Sequence, residues 1–202
     1  MTDKYQTIAG PAVGSYKAKG SKFEAYAFAV YNENDIKAAL EEVKLLHPKA
    51  GHHCYAWKLG LDDNLYRAND DGEPSGTAGK PIFGQIRSFN VTNILIIVVR
   101  YFGGTLLGVS GLIDAYKSSA QAVLNNANIV RKHIKAYYEL KFGYENMNEV
   151  MTLIKSNYVE TISKEFKDDC KIKVSVNKSD ISAFEIAVNK IDNVTLNQIG
   201  IY

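Results

Sequence analysis

Cysteine is scarce in this chain: only Cys54 and Cys170, far apart and at no metal-like spacing. Two such residues build neither a disulfide framework nor a thiolate metal site, and they fit a reducing compartment. Long apolar runs are also missing. The longest, Ile94-Leu95-Ile96-Ile97-Val98-Val99, falls far short of the roughly 20 residues a membrane-spanning helix needs. Its length and β-branched content read as a buried strand. Met1 to Tyr5 has neither the basic segment nor the apolar run of a signal peptide, so a cytoplasmic protein without membrane attachment is expected. No charge of one sign dominates. Twenty-four basic and 22 acidic residues give a net charge of +2, which argues against a polybasic nucleic-acid binder but leaves room for a local basic face.

What is present is ordinary globular material. The 202 residues are 46% hydrophobic and 23% charged, enough for one large domain or two small ones. Texture changes near Asn125-Asn126-Ala127-Asn128. All four prolines, the single Trp, three of the four histidines and all glycines but Gly143 and Gly200 precede it. Two domains are expected, 1–130 and 131–202, each close to neutral: 13 basic against 12 acidic residues in the first, 11 against 10 in the second.

In the first part the pattern predicts a strand over Phe23–Tyr31 and a helix over Glu33–Leu46. Asn32 or Asn34 would cap that helix, and His47-Pro48 would stop it. A strand over His53–Leu59 would pair with Leu65–Ala68 across Leu61-Asp62-Asp63-Asn64. A Gly/Pro/Asp loop runs from Asp70 to Lys80, and Thr77 or Ser75 would cap a helix ending near Arg87. A strand over Thr92–Arg100 and a helix over Leu112–Leu124 complete this part. The second part predicts strands over Ile134–Phe142, Val159–Phe166, Cys170–Val176 and Val194–Ile201. The middle two form a hairpin around Lys167-Asp168-Asp169. Helices fall over Asn146–Asn157 and after Ser179-Asp180. The order β-α-β-β-α-β is the ferredoxin-like arrangement, with two helices on one face of a sheet. The class is α+β.

Three segments concentrate the chemistry: Gly51-His52-His53-Cys54-Tyr55-Ala56-Trp57, Asp70-Asp71-Gly72-Glu73-Pro74-Ser75-Gly76-Thr77-Ala78-Gly79-Lys80-Pro81 and Arg100-Tyr101-Phe102-Gly103-Gly104-Thr105-Leu106-Leu107-Gly108. Glycine-rich loops bring backbone N–H groups close to an anion, and Lys80 and Arg100 add positive charge. Neither a Walker A loop nor a dinucleotide fingerprint is formed, because their defining spacings fail. His52 and His53 are adjacent, so on a strand they point to opposite faces and do not chelate one ion together. No paired-Cys motif or His-Glu-x-x-His is present, so no metal and no cofactor is expected. Cys54 follows two histidines, yet an alternating strand buries such a thiol. Lys80, Arg87, Arg100 and Lys117 are the basic candidates for nucleic acid. The lysines of the second part are interleaved with acids, as on a solvated surface.

These segments, together with His47-Pro48 and Leu106-Leu107-Gly108-Val109-Ser110-Gly111-Leu112, resemble the IMPACT family in its bacterial form. The likeness covers about residues 18–128. The remainder is similar to the extra C-terminal domain of bacterial members, itself like a domain of elongation factor G. The resemblance implies an N-terminal domain akin to the second domain of a small-subunit ribosomal protein, a βαβ sandwich with a left-handed crossover. Eukaryotic members bind a co-activator of a starvation-responsive kinase and relieve translational repression, partly through an RWD domain with no counterpart in these residues. The motif gathers His52, His53, Asp70, Asp71, Glu73, Lys80, Arg100, Tyr101, Gly103 and Gly104, with Lys117 nearby, as a ligand-binding cleft. There Arg100 and Lys80 would contact phosphate, and Asp71 and Glu73 would orient those cations or hold a metal. A buried ion-pair network that fixes the loop is the competing role. The function implied is a translation-associated regulator, not an enzyme, binding RNA, the ribosome or a translation factor. The alternatives are a hydrolase of a small phosphate-bearing or peptide substrate, and a protein-interaction module modulating a translation-related kinase pathway.

Overall fold

The computed structural model describes residues 3–62, 64–155, 158–166 and 169–202. Its contacts separate into two units, Tyr5–Lys132 and His133–Tyr202 with residues 3 and 4. The first half of the chain runs β1 (Lys4–Ile8), β2 (Ala12–Ala18), β3 (Ser21–Ala29), α1 (Glu33–Leu46), β4 (His52–Lys58), β5 (Tyr66–Asn69), α2 (Gly79–Ser88), β6 (Ile94–Tyr101), α3 (Gly108–Asn126) and β7 (Ile129–His133). The second half runs β8 (Lys135–Phe142), α4 (Met147–Ile154), β9 (Val159–Phe166), β10 (Cys170–Asn177), α5 (Ile181–Val188) and β11 (Thr195–Ile201). It is a mixed α/β protein with several sheets. Among the described residues no helix is long and apolar enough to cross a membrane.

In the N-terminal unit five strands form an antiparallel sheet in the order β2-β3-β6-β4-β5, and β1 pairs separately with β7. The apolar run of β6 has no polar alternation because both its faces are covered. Ile94, Ile96 and Val98 pack with Ile82 and Ile86 of α2 and with Leu112, Tyr116 and Val123 of α3. Leu95, Ile97 and Val99 pack with Ile36, Ala39 and Val43 of α1. The α1 stripe follows helical spacing, and Asn32 supplies the cap, accepting from the backbone N–H of Asn34 and Asp35 at 2.9 and 3.0 Å. A two-residue turn, Lys19 (φ 44°) and Gly20 (φ 82°), joins β2 to β3 and suits the twist of a hairpin.

Two expectations of the sequence are corrected. Neither Thr77 nor Ser75 caps α2. The Thr77 hydroxyl closes a turn by donating to the Pro74 carbonyl at 2.7 Å. The charged, more distant Asp70 takes the helix N-terminus instead. In addition, β1, β2 and β7 were not anticipated. They are short or lie at a sheet edge, and β2 exposes most of its residues, so no apolar alternation marks it.

In the C-terminal unit the four strands are ordered β11-β8-β10-β9 with antiparallel neighbours. Ala136, Tyr138, Leu140 and Phe142 of β8 and Ile172, Val174 and Val176 of β10 bury against Val150 and Ile154 of α4 and Phe184 and Val188 of α5. Tyr137 points to the other face and stacks on Tyr202 with ring centroids 4.4 Å apart. Asp63 of the predicted turn, the predicted helix end at Asn157, and Lys167 and Asp168 of the predicted hairpin turn lie outside the described residues.

Candidate functional site

The sheet register decides which motif residues meet. His52 lies opposite Arg100 on β4 and β6, and Phe23 of β3 lies opposite Arg100 on its other side. All three therefore share the face covered by α2 and α3. Tyr101 and His53 alternate away from them, onto the α1 face. The residues gathered by the sequence motif thus form two polar clusters on opposite faces of one end of the sheet.

On the α2–α3 face, Arg100 and Glu73 are 6% and 8% exposed, so their charges must compensate each other. Arg100 Nη1 donates to Glu73 Oε1 at 2.7 Å, and the Tyr116 hydroxyl donates to the same oxygen at 2.7 Å. The guanidinium lies 5.7 Å from the ring centroids of both Phe23 and Phe102. Its Nε is buried and has no hydrogen-bond partner among the described residues. Burial, then the neighbouring Cys54 and Glu73, pushes the Tyr116 hydroxyl far above its ordinary range and keeps it a donor. Burial pushes the Cys54 thiol up to about 12, so Cys54 is a protonated core residue and not a thiolate nucleophile. His52 Nδ1 lies 2.8 Å from the Asp71 carbonyl, which can only accept. The neutral ring therefore carries its proton on Nδ1, leaving Nε2 an acceptor 3.9 Å from Glu73 Oε1.

The loop between β5 and α2 is organised by Asp70. Its carboxylate accepts from the N–H of Gly76, Ala78 and Gly79 at 2.8, 3.0 and 2.8 Å. Burial works to raise its pKa, but the three N–H groups and Lys80 outweigh it and hold the group below the usual carboxylate range. A depressed folded-state pKa stabilises above the unfolded value of about 3.9 and is lost as pH falls through the lower folded value. Asp70→Ala is therefore expected to cost about 2 kcal/mol at neutral pH. The gap from wild type should close in urea unfolding repeated down to about pH 2. A gap that stays constant with pH would show that the charge on Asp70 does not carry the cap.

On the α1 face, His47 is buried at the end of α1 between two tyrosines. Its Nδ1 is 2.8 Å from the Tyr101 hydroxyl and its Nε2 is 2.6 Å from that of Tyr26. Tyr26 donates to Glu24 at 3.0 Å, so the Nε2–H of a neutral His47 donates to Tyr26 and its Nδ1 accepts from Tyr101. Glu24 also pairs with Lys22. That pairing, with help from Tyr26, holds the Glu24 carboxyl low against the effect of burial. Burial, with the Glu24 bond second, pushes Tyr26 up to about 12. His53 Nε2 lies 3.2 Å from the His47 carbonyl, and burial lowers its pKa.

Of the remaining predicted residues, Asp71 links the two faces. Its Oδ2 accepts from the His53 N–H at 2.6 Å while its carbonyl receives His52. Gly103 packs flat against the β2–β3 turn, where a Cβ would stand 1.9 Å from the Gly20 carbonyl carbon. Gly104 has φ 86° and open space around it. Lys80 and Lys117 are exposed, on α2 and α3. Sequence reasoning missed Tyr116, Tyr26, Glu24 and His47 as members of these networks. A Tyr on the otherwise small and aliphatic stripe of α3 was the available signal, because a buried hydroxyl needs a partner. No group of three or more metal-ligating side chains occurs among the described residues.

Beyond Arg100 the chain emerges as an exposed apolar crest. Phe102 and Leu106 of the loop and Val109 in the first turn of α3 are 59%, 81% and 60% exposed, although the loop is anchored at Gly103 and backed by Arg100. Fold and site together define a two-unit α/β protein whose N-terminal unit carries a glycine-rich, ion-pair-braced end on an antiparallel sheet. Residues 19–124 match the family model described as the Impact N-terminal domain, and the chain belongs to the IMPACT family. It is 30% identical over 195 residues to the IMPACT family member YigZ of Escherichia coli, covering 96% of each chain. It is 33% identical over 168 residues to an IMPACT family member of Haemophilus influenzae, covering 82% of each. A crystal structure described as that of a hypothetical protein superposes with a TM-score of 0.75 at 29% identity, covering 99% of both chains.

Proposed function

We propose that this chain is a translation-associated regulator that acts by binding, and that the glycine-rich end of its N-terminal unit is the contact surface. The observation that carries this reading is the crest of Phe102, Leu106 and Val109, held exposed beside the Gly103 contact with the β2–β3 turn. Family membership supports the link to translation, with RNA, the ribosome or a translation factor as the partner and the cytoplasm as the location. Arg100, neutralised by Glu73, braces the loop in this reading, while Lys80 and Lys117 on the surface meet the partner. We read residues 1–130 and 131–202 as the two domains, the second ferredoxin-like, which the strand order β11-β8-β10-β9 supports. The first is read as the ribosomal-protein-like sandwich of the family.

The test is co-sedimentation with ribosomes at low and moderate salt. Wild type is expected to sediment in a salt-sensitive way, with Phe102→Ser and the pair Lys80→Ala and Lys117→Ala each reducing the bound fraction about fivefold, roughly 1 kcal/mol. Equal sedimentation of all three proteins, or none at low salt, would sink the proposal. One observation favours a second reading as a hydrolase. His52 Nε2 stands 3.9 Å from Glu73 Oε1, so a titratable ring and a carboxylate lie side by side, the residue pair an acid–base site would use. That reading requires turnover of a phosphoester or dipeptide that disappears in His52→Ala while the fold persists.

A further inference from the structure

From the crest and its rim we infer that the partner docking there is an acidic amphipathic protein segment, an inference that rests on the binding role proposed above. The crest is apolar and uncharged: no charged residue occurs from Tyr101 to Ile113, and the first beyond is Asp114. Leu106 and Val109 are aliphatic. They can bury against leucine-like side chains but offer no ring on which a base could stack. The rim is basic. Gly103 N–H donates to Ser21 Oγ at 3.2 Å, which ties the crest to the β2–β3 hairpin, and the exposed Lys19 forms the tip of that hairpin with Lys17 beside it. Lys117 lies two turns along α3 from Val109, on the same i, i+4 row. An apolar centre with cations around it is complementary to a helix or strand that alternates apolar side chains with carboxylates. The anchoring of Gly103 on the turn presents this surface preformed, so little is lost in ordering it on binding.

The experiment is fluorescence anisotropy on the full chain with three labelled probes. They are an 18-residue Glu/Leu amphipathic peptide, the same peptide with every Leu changed to Ser, and a 12-nucleotide oligouridine. Wild type is expected to bind the Glu/Leu peptide at least tenfold more tightly than either other probe. Leu106→Asp with Val109→Asp should weaken it at least tenfold. Lys19→Glu should weaken it several-fold and flatten its dependence on salt. Both crest positions are exposed, so thermal melts of the variants should match wild type. Tighter binding of oligouridine than of the peptide, or a crest variant that binds the peptide as wild type does, overturns the inference. If ribosome co-sedimentation is lost in Phe102→Ser while no peptide binds, the surface stands and the partner class is wrong. If the peptide binds and no protein co-sediments, the link to the ribosome is wrong.

Discussion

Glu73→Ala is expected to destabilise the chain by about 3–5 kcal/mol, because it leaves the buried Arg100 charge without its counter-ion. The same change removes the acceptor of the Tyr116 hydroxyl, leaving a buried donor whose neighbour, the Cys54 thiol 3.3 Å away, is itself a donor to it. Glu73→Gln should cost less, since the amide oxygen can still accept from both partners while the charge goes uncompensated. The decisive comparison is the double variant Glu73→Leu with Arg100→Met. It removes both charges together and should recover most of the loss, as buried ion pairs replaced by apolar groups often do. Urea denaturation of the four proteins measures this. A loss below about 1 kcal/mol in Glu73→Ala would show that the pair does not hold the loop. If the pair does hold it, the crest should follow: variants that stay folded but lack Glu73 should bind the amphipathic probe more weakly although no crest residue has changed.

Gly103→Ala should be the most damaging single methyl in the molecule's glycine-rich end. The added Cβ would fall 1.9 Å from the Gly20 carbonyl carbon and 2.2 Å from both the Gly20 oxygen and the Ser21 nitrogen. These are backbone atoms of a tight turn, so no rotamer change relieves the clash, and the loop and the hairpin must separate. A cost of about 2–3 kcal/mol is expected. Gly104→Ala is the control. Gly104 itself has a positive φ of 86° but open space, so only the backbone penalty of about 1 kcal/mol applies there. Amide exchange should accelerate at Lys19–Ser21 as well as in the loop for the first variant, and in the loop alone for the second. Equal costs at the two positions would mean that the hairpin contact does not anchor the crest.

Much of the secondary structure was legible because it depends on local rules. Helix α1 spans the residues its apolar spacing marked, and the Asn32 cap is a matter of the four residues from 32 to 35. The run Ile94–Val99 was readable as a strand because only a strand covered on both faces tolerates such a sequence. The opposite orientation of His52 and His53 followed from the two-residue period of a strand. The cap of α2 was not legible, since Asp70 reaches it across a loop of eight residues whose path no local preference sets. Nor was β2, which is held by its neighbour β3 and by the close approach of Gly14 to α3, not by an apolar pattern of its own.

The sequence by itself determined where charges, histidines and glycines concentrate, in three short segments of the N-terminal unit, while their gathering into one cleft was implied only by the family resemblance. It also determined that Lys80 and Arg100 supply positive charge there. Only the tertiary structure decided what that charge does. Register places Arg100 opposite His52 and Phe23, burial takes it out of bulk solvent, and Glu73 arrives from a distant loop to neutralise it, while Tyr101 one residue on faces His47 across the sheet. Burial and pairing are properties of segments brought together from positions 24 to 116 of the chain, and free energies of that kind have no local signature.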